Sequence, residues 1–360
     1  MDETPKQLYQ LTAPLLRWYD GSARVLPWRD EPTAYHVWLS EIMLQQTRVS
    51  AVLPYYRRFL EALPDVAALA VVEEEKLLKL WEGLGYYNRA RNLQKAAQKI
   101  MTEWGGRFPE DYETLLTLPG VGEYTAGAVA SIAFGRQVPA VDGNVLRVVA
   151  RITGDEGDVL EGKVKARFRN WVADIQSRER PGDFNQAMME LGATVCVPNG
   201  APRCESCPAG AFCAACRDNT WNVLPVKKKK ARRRIEEKTV FVLLGEDGLA
   251  LRRREKQGLL AGLWELPNVP GMLDESGAAA QLARWGLMPV DWAEQLEAKH
   301  IFTHVEWHMR GYVLSVRGQG ESSFAWTNRA GLAERAVPAA FAKFMEAACS
   351  RLPETEEEDP

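Results

Sequence analysis

Leu118-Pro119-Gly120-Val121-Gly122-Glu123-Tyr124-Thr125-Ala126-Gly127 decides how the chain folds, and Asp142, in Val141-Asp142-Gly143-Asn144-Val145, lies twenty positions beyond Gly122. Leu115 and Leu116 close one apolar helical run, and Tyr124 to Phe134 forms the next. Pro119 stops the first helix, and Gly120 and Gly122 can take positive φ in the turn. Lacking a Cβ, the two glycines let their N–H groups come close to a phosphate, and the N-terminus of the second helix adds partial positive charge. The plainer reading is an ordinary corner between two helices. Asp142 likewise has two readings. Ahead of Gly-Asn-Val-Leu-Arg it is a good helix N-cap, and it is also a carboxylate able to face developing positive charge.

At 360 residues the chain is expected to hold two domains, and 46% hydrophobic content fills their cores. The net charge of −3 gives no global argument for a polyanionic partner, so such a partner would need local basic patches. Met1-Asp2-Glu3-Thr4-Pro5 is polar and acidic, unlike a signal peptide, and no apolar run reaches the about 20 residues of a membrane helix. A cytoplasmic protein is expected. Residues 1–225 read as an all-α domain, with helical spacing from Tyr35 to Leu63, Glu73 to Leu80, Asn88 to Glu103 and Asn144 to Ile152. A linker follows at 226–237. Within it Lys227-Lys228-Lys229-Lys230-Ala231-Arg232-Arg233-Arg234 puts seven basic side chains in eight positions. No core absorbs such a run; it reads as a solvated connector or as a strap near phosphates. Residues 238–352 switch to strand periodicity. Thr239 to Leu244 and Leu249 to Leu251 flank a turn, Val305, Trp307 and Met309 alternate with polar residues, and Ala278 to Trp285 and Ala339 to Ala348 are helical. This is an α+β domain. The acidic tail, 353–360, is expected to be disordered.

Five of the six cysteines, Cys196, Cys204, Cys207, Cys213 and Cys216, fall within 21 residues. With no secretion signal a metal site is a better reading than disulfides. Two metals compete: zinc on Cys204-x2-Cys207 with Cys213-x2-Cys216, or a [4Fe–4S] cluster on Cys196, Cys204, Cys207 and Cys213. Cys349 reads as a packed thiol. Glu41 stands among Val37-Trp38-Leu39-Ser40 and Ile42-Met43-Leu44. It is either a carboxyl on the wet face of an amphipathic helix or one raised in pKa by apolar company, as a general acid requires.

Leu118 to Gly122, Val141-Asp142-Gly143-Asn144 and the cysteine loop resemble the helix-hairpin-helix DNA glycosylases of the endonuclease III superfamily. Leu26-Pro27-Trp28-Arg29, Trp38 to Thr47, Gly83-Leu84-Gly85-Tyr86-Tyr87 and Phe184-Asn185-Gln186-Ala187-Met188-Met189 are similar to the MutY family of adenine DNA glycosylases. The resemblance covers nearly the whole chain. It implies a DNA repair enzyme acting as a monomer on double-stranded DNA, excising adenine mispaired with 8-oxoguanine or guanine. Glu41 would protonate the base and later activate water. Asp142 would stabilise a cationic sugar, or attack it transiently, and Asn144 would orient that carboxylate. Tyr124 stands where bifunctional relatives carry a lysine that forms a Schiff base, so strand cleavage is not expected. Trp28, Arg29 and Gln186 would line the adenine pocket, although a tryptophan there also suits core packing. Gln46 and Tyr86 would wedge beside the flipped base, and Gly120 and Gly122 would hold phosphate. The implied cluster pattern is Cys-x6-Cys-x2-Cys-x5-Cys, with module limits of about 190–216; here the first gap is seven residues, Val197 to Arg203.

Gly262-Leu263-Trp264-Glu265-Leu266-Pro267 resembles the Nudix-like C-terminal domain of that family. A working Nudix hydrolase places its metal on an Arg-Glu-x-x-Glu-Glu helix. The segment Gly277 to Trp285 lacks those carboxylates, so lesion recognition is expected in place of pyrophosphatase activity. Phe302-Thr303-His304 is similar to the family's Phe-Ser-His loop, with a hydroxyl kept at Thr303. His300, His304 and His308 are not expected to converge on a metal. The rival readings are a pyrimidine glycosylase with lyase activity, disfavoured by Tyr124; a glycosylase fold without catalysis, disfavoured by Glu41 and Asp142; and a Nudix hydrolase.

Overall fold

The computed structural model describes residues 3–228 and 233–353. The middle of the basic run, 229–232, and the acidic tail from 354 lie outside the described residues. The backbone divides into two compact units, one of residues 1–71 and 91–230 and one of residues 72–90 and 231–360.

The first unit is helical. Its central element, the Gly143–Thr153 helix, starts on Asp142 as N-cap and ends at Gly154, whose φ of 73° forms the left-handed cap. Val145, Val148, Val149 and Ile152 on this helix pack with Leu8, Leu11 and Leu15, with Phe168 and Trp171, and with Phe184, Met188 and Leu191 of the Pro181–Thr194 helix. The apolar pattern of Tyr35 to Leu63 makes two helices, Ala34–Leu44 and Val49–Ala62. The expected single run breaks at Gln45 and Gln46, where Gln46 takes a left-handed φ of 59°.

The hairpin joins the helices Tyr112–Leu116 and Glu123–Ile132. Leu118 and Val121 anchor it in the core, and the Val121 N–H donates to the Leu118 carbonyl at 3.1 Å. Gly120 has φ +77°, and a Cβ there would stand 2.7 Å from the Asn92 Cβ. Gly122 does not use that freedom. Its φ is −100°, an extended conformation open to any residue, because it serves as the N-cap residue of the next helix. It has no side chain to cap that helix, so the first-turn amides keep no side-chain partner from the cap.

The second unit holds a mixed sheet of seven strands among the described residues: β1 (Arg234–Gly245), β2 (Gly248–Arg253), β3 (Trp264–Glu265), β4 (Asn268–Pro270), β5 (Met288–Ile301), β6 (Val305–Arg317) and β7 (Phe324–Thr327). The order is β3-β2-β1-β6-β5, with β4 on β1 and β7 on β2. β1 and β6 run parallel, from Arg234 beside Val305 to Leu244 beside Ser315, and the other pairs are antiparallel. Val240-Phe241-Val242-Leu243 is apolar without alternation because both faces of β1 are covered. Val240 and Val242 join a core with Phe341 and Phe344. Phe241 and Leu243 join Ala278 and Leu282 of the Glu275–Arg284 helix on the other side. Arg234, expected in the linker, already belongs to β1, since the sheet recruits its backbone beside Val305. Cys349 ends the Ala342–Cys349 helix and packs on the first of these cores. Among the described residues no helix is long and apolar enough to cross a membrane.

Candidate active site

A cleft of about 1210 Å³ in the helical unit is lined by Glu41, Tyr124, Asp142 and Asn144, with Trp28, Arg29, Gln186 and Gln46 around them. Residues far apart in sequence thus meet because the Ala34–Leu44, Glu123–Ile132, Gly143–Thr153 and Pro181–Thr194 helices all reach this cleft.

Glu41 lies on the buried face of its helix, 6% exposed. Burial pushes its carboxyl up to about 7; the Tyr124 hydroxyl donating to it works the other way, Asp142 raises it further and Arg29 lowers it. Tyr124 therefore directs its hydroxyl at Glu41 Oε2 and at Met189 Sδ, 3.1 Å away. Burial, then Glu41 and Asp142, raise the phenol well above its usual value, so it stays a donor.

Asp142 caps its helix and lines the cleft. Its Oδ1 accepts from the N–H of Asn144 at 2.9 Å and of Val145 at 2.8 Å. Its Oδ2 accepts from Asn144 Nδ2 at 2.7 Å. Burial raises this carboxyl above the usual aspartate range, against the pull of those donors and of Arg147. Asn144 is itself gripped by Arg147, whose Nη2 donates to its Oδ1 at 2.7 Å.

Arg29 donates to Gln186 Oε1 at 3.1 Å and to Glu190 Oε2 at 2.8 Å. One polar end of Gln186 is thus occupied, leaving its amide N–H groups for a ligand. Trp28 is buried and packs edge-on against Tyr56 at 5.3 Å, so its core role is real even though it lines the cleft. Glu190 is missed by sequence reasoning. It is 1% exposed and also takes Arg24 Nε at 2.6 Å and Nη2 at 2.9 Å. Burial alone would raise it, but the hydrogen bonds from Arg24 and Arg29 hold it below the usual range. The available signal is spacing, because Glu190 follows Gln186 by one helical turn.

A family model described as HhH-GPD superfamily base excision DNA repair protein matches residues 39–174, and a NUDIX domain model matches residues 239–347. The chain is 37% identical over 367 residues to the adenine DNA glycosylase of Rattus norvegicus, covering 86% of this chain and 71% of the relative. It is 38% identical over 365 residues to that of Homo sapiens, covering 85% and 67%. The chain belongs to the adenine DNA glycosylase family. Among solved structures it resembles a thermostable thymine-DNA glycosylase, with TM-score 0.54 and 27% identity, covering 60% of this chain and all (100%) of that one. It shares its helical fold with endonuclease III in a non-covalent DNA complex, at TM-score 0.51 and 24% identity, covering 59% of this chain and 98% of that one.

In this adenine DNA glycosylase family member the cysteine loop closes on the central helix. Cys196, Cys204, Cys207, Cys213 and Cys216 line one cavity with Arg151 and Trp221. Arg151 Nη1 donates to Cys196 Sγ at 3.3 Å and to the Val197 carbonyl at 3.0 Å, and its Nε donates to the Leu224 carbonyl at 2.9 Å. Arg147 Nε donates to the Cys196 carbonyl at 2.8 Å. Both arginines are buried, and sequence reasoning passes over them because a helical arginine normally reads as surface. Five thiols lining one cavity are the donor type a thiolate-held cluster takes, while among the described residues no three or more of them stand in a closed metal-binding arrangement.

The remaining expected DNA contacts belong to the second unit. Phe302-Thr303-His304 joins β5 to β6 at the hairpin tip. Phe302 packs on Trp307 at 4.9 Å, the Arg234 N–H donates to the His304 carbonyl at 3.1 Å, and Thr303 is exposed. Tyr86, 48% exposed with φ 48°, shares a 2.9 Å hydrogen bond with the Thr303 hydroxyl. His300 stacks edge-on with Phe302, and His308 Nε2 pairs with Glu306 at 2.7 Å, so these rings serve separate partners.

Proposed function

We propose that the chain excises adenine opposite 8-oxoguanine or guanine, hydrolysing the N-glycosidic bond of a nucleotide flipped into the cleft and leaving an abasic site. The observation that carries the reading is the buried Glu41 carboxyl, raised to about 7 and sharing one cleft with Asp142. A carboxyl half protonated near neutrality is a matched general acid for a leaving purine, and a second carboxylate offsets oxocarbenium charge on the sugar. Asn144 and two backbone amides fix that carboxylate in advance. Tyr124 carries no amine and cannot form a Schiff base, which supports base removal without strand cutting. Arg29 and Gln186 offer donors to a base edge, and Trp28 forms a wall.

Cys196, Cys204, Cys207 and Cys213 would hold a [4Fe–4S] cluster, which supplies a covalent cross-link to the loop; Arg151 and Arg147 tie that loop to the helix that carries Asp142. We assign helix-hairpin-helix phosphate contact to the Gly120–Gly122 corner, duplex wedging to Gln46 and Tyr86, and 8-oxoguanine recognition to Phe302, Thr303 and His304. The Glu275–Arg284 helix, with Glu275 alone carrying a carboxylate along its length, supports recognition over pyrophosphate hydrolysis. The limits 1–225, 226–237 and 238–352 remain our proposed domain division, with a monomeric enzyme on double-stranded DNA.

The test is incubation with duplexes carrying A opposite 8-oxoguanine, A opposite G, and thymine glycol opposite A, with and without alkali. Adenine release with strand breaks only after alkali is expected, and Glu41→Gln abolishes release. Full activity of Glu41→Gln would sink the assignment of the acid.

A further inference from the structure

Three of the four residues 83–86 are left-handed: Gly83 at φ 98°, Gly85 at 68° and Tyr86 at 48°. The two glycines adopt this backbone freely. For Tyr86 it is strained, and it persists only where the surroundings enforce it. Arg89 supplies that enforcement. Its side chain is buried, and its Nη2 donates to the Leu84 carbonyl at 2.9 Å and to the Gly85 carbonyl at 3.2 Å. Its backbone N–H donates to the Tyr86 carbonyl at 2.8 Å. One residue thus holds three consecutive carbonyls of the turn. The guanidinium also lies 5.2 Å from the centre of the Trp81 ring and 5.6 Å from that of Tyr86. Trp81 is fully buried, and its Nε1 donates to the same Gly85 carbonyl at 3.0 Å. Arg89 therefore ties the Tyr86 backbone and ring to a fixed point in the core, while the Tyr86 side chain itself stays exposed. The planar fork of an arginine can reach two carbonyls and two ring faces at once, which the single ammonium of a lysine cannot.

We propose that Arg89 is the positioning residue of the Tyr86 wedge, fixing the left-handed turn before DNA arrives so that the ring enters the duplex in a preset pose. The inference rests on the wedge reading above and deepens it. Without the guanidinium the turn relaxes out of its strained conformation, and the wedge stands ready in only a fraction of the molecules. At saturating protein that fraction multiplies the rate of any step that needs the wedge.

The experiment compares the full-length protein with Arg89→Lys, Tyr86→Ala and the double variant on a duplex carrying A opposite 8-oxoguanine. The readouts are the single-turnover excision rate at saturating protein, the fluorescence of a 2-aminopurine placed next to the target adenine, which brightens as the stack opens, and far-ultraviolet circular dichroism as the check of folding. Arg89→Lys is expected to keep the wild-type dichroism, to lose about tenfold in excision rate and to lose most of the fluorescence rise, a loss set by the strain left unsupported. In the Tyr86→Ala background the same replacement is expected to change the rate by less than about twofold, because no wedge is left to position. Equal losses in both backgrounds overturn the proposal, as does an Arg89→Lys rate equal to the wild type. Amide hydrogen exchange over residues 84–89 of the wild type tests the same point without a variant. Protection already present in the free protein is expected, and protection gained only on adding duplex overturns a preset turn. A Tyr86→Ala protein with wild-type rate and fluorescence would instead defeat the wedge reading itself.

Discussion

Glu41 and Tyr124 form the pair on which the chemistry turns. The Tyr124 hydroxyl stabilises the ionised form of Glu41, while burial opposes it. Tyr124→Phe removes the stabilising donor, so the Glu41 carboxyl moves further above about 7. The alkaline limb of the single-turnover excision rate, where the general acid is lost, is expected to move to higher pH in Tyr124→Phe. An unchanged or lower midpoint would refute the assignment. The same carboxyl bears on stability. Its folded value lies above the ordinary value of about 4.3, so folding takes up a proton. Its contribution is fully present below the ordinary glutamate value and is lost as pH rises through about 7. Glu41→Gln, which cannot ionise, should flatten the fall in Tm between weakly acidic and weakly alkaline buffer, read by thermal melts across that range.

The hairpin separates two glycine roles that look alike in sequence. Gly120 needs its left-handed φ and the space beside Asn92, whereas Gly122 has ordinary dihedrals and open space, with no heavy atom within 4 Å of where a Cβ would stand. Gly120→Ala is expected to cost about 1–2 kcal/mol from backbone strain alone, lowering Tm by about 2–8 °C. Gly122→Ala should leave Tm in place and weaken binding to undamaged duplex, because the added methyl stands where a phosphate would approach the open amides. Calorimetry with fluorescence anisotropy distinguishes the two, and a Gly122→Ala protein with unaltered affinity would remove that corner from the DNA contacts. Left-handed backbone also marks Gln46 and Tyr86, the two expected wedge residues. Neither is glycine, and a motif match alone does not announce such a conformation.

Within the whole chain, residues 72–90 are the least foreseeable part. Read by periodicity they continue the helical domain, yet they complete the unit built around the sheet. Trp264 Nε1 donates to Glu75 at 2.7 Å, the Val337 N–H to Glu82 at 2.7 Å, and Lys79 Nζ to the Arg335 carbonyl at 3.1 Å. Glu82, whose Oε2 also pairs with Lys79 Nζ at 2.6 Å, cannot do either once replaced, so Glu82→Ala strands the Val337 amide and is expected to cost about 1–2 kcal/mol. A denaturant melt followed by tryptophan fluorescence measures it, and no change would mean these contacts are replaced by water. The sequence by itself determined the helix periods, the glycine corner, the apolar run of β1, the cysteine spacing and the identities of Glu41, Asp142 and Tyr124. These are local chemistry, written in spacing and residue type. Only the tertiary structure decided that Glu41 faces inward, that Tyr124 donates to it, that Glu190 and two arginines are buried, and that a fifth thiol lines the cavity of the cysteine loop. Burial and partner choice come from elements separated by tens to hundreds of residues, and no local pattern encodes which distant side chain will arrive there.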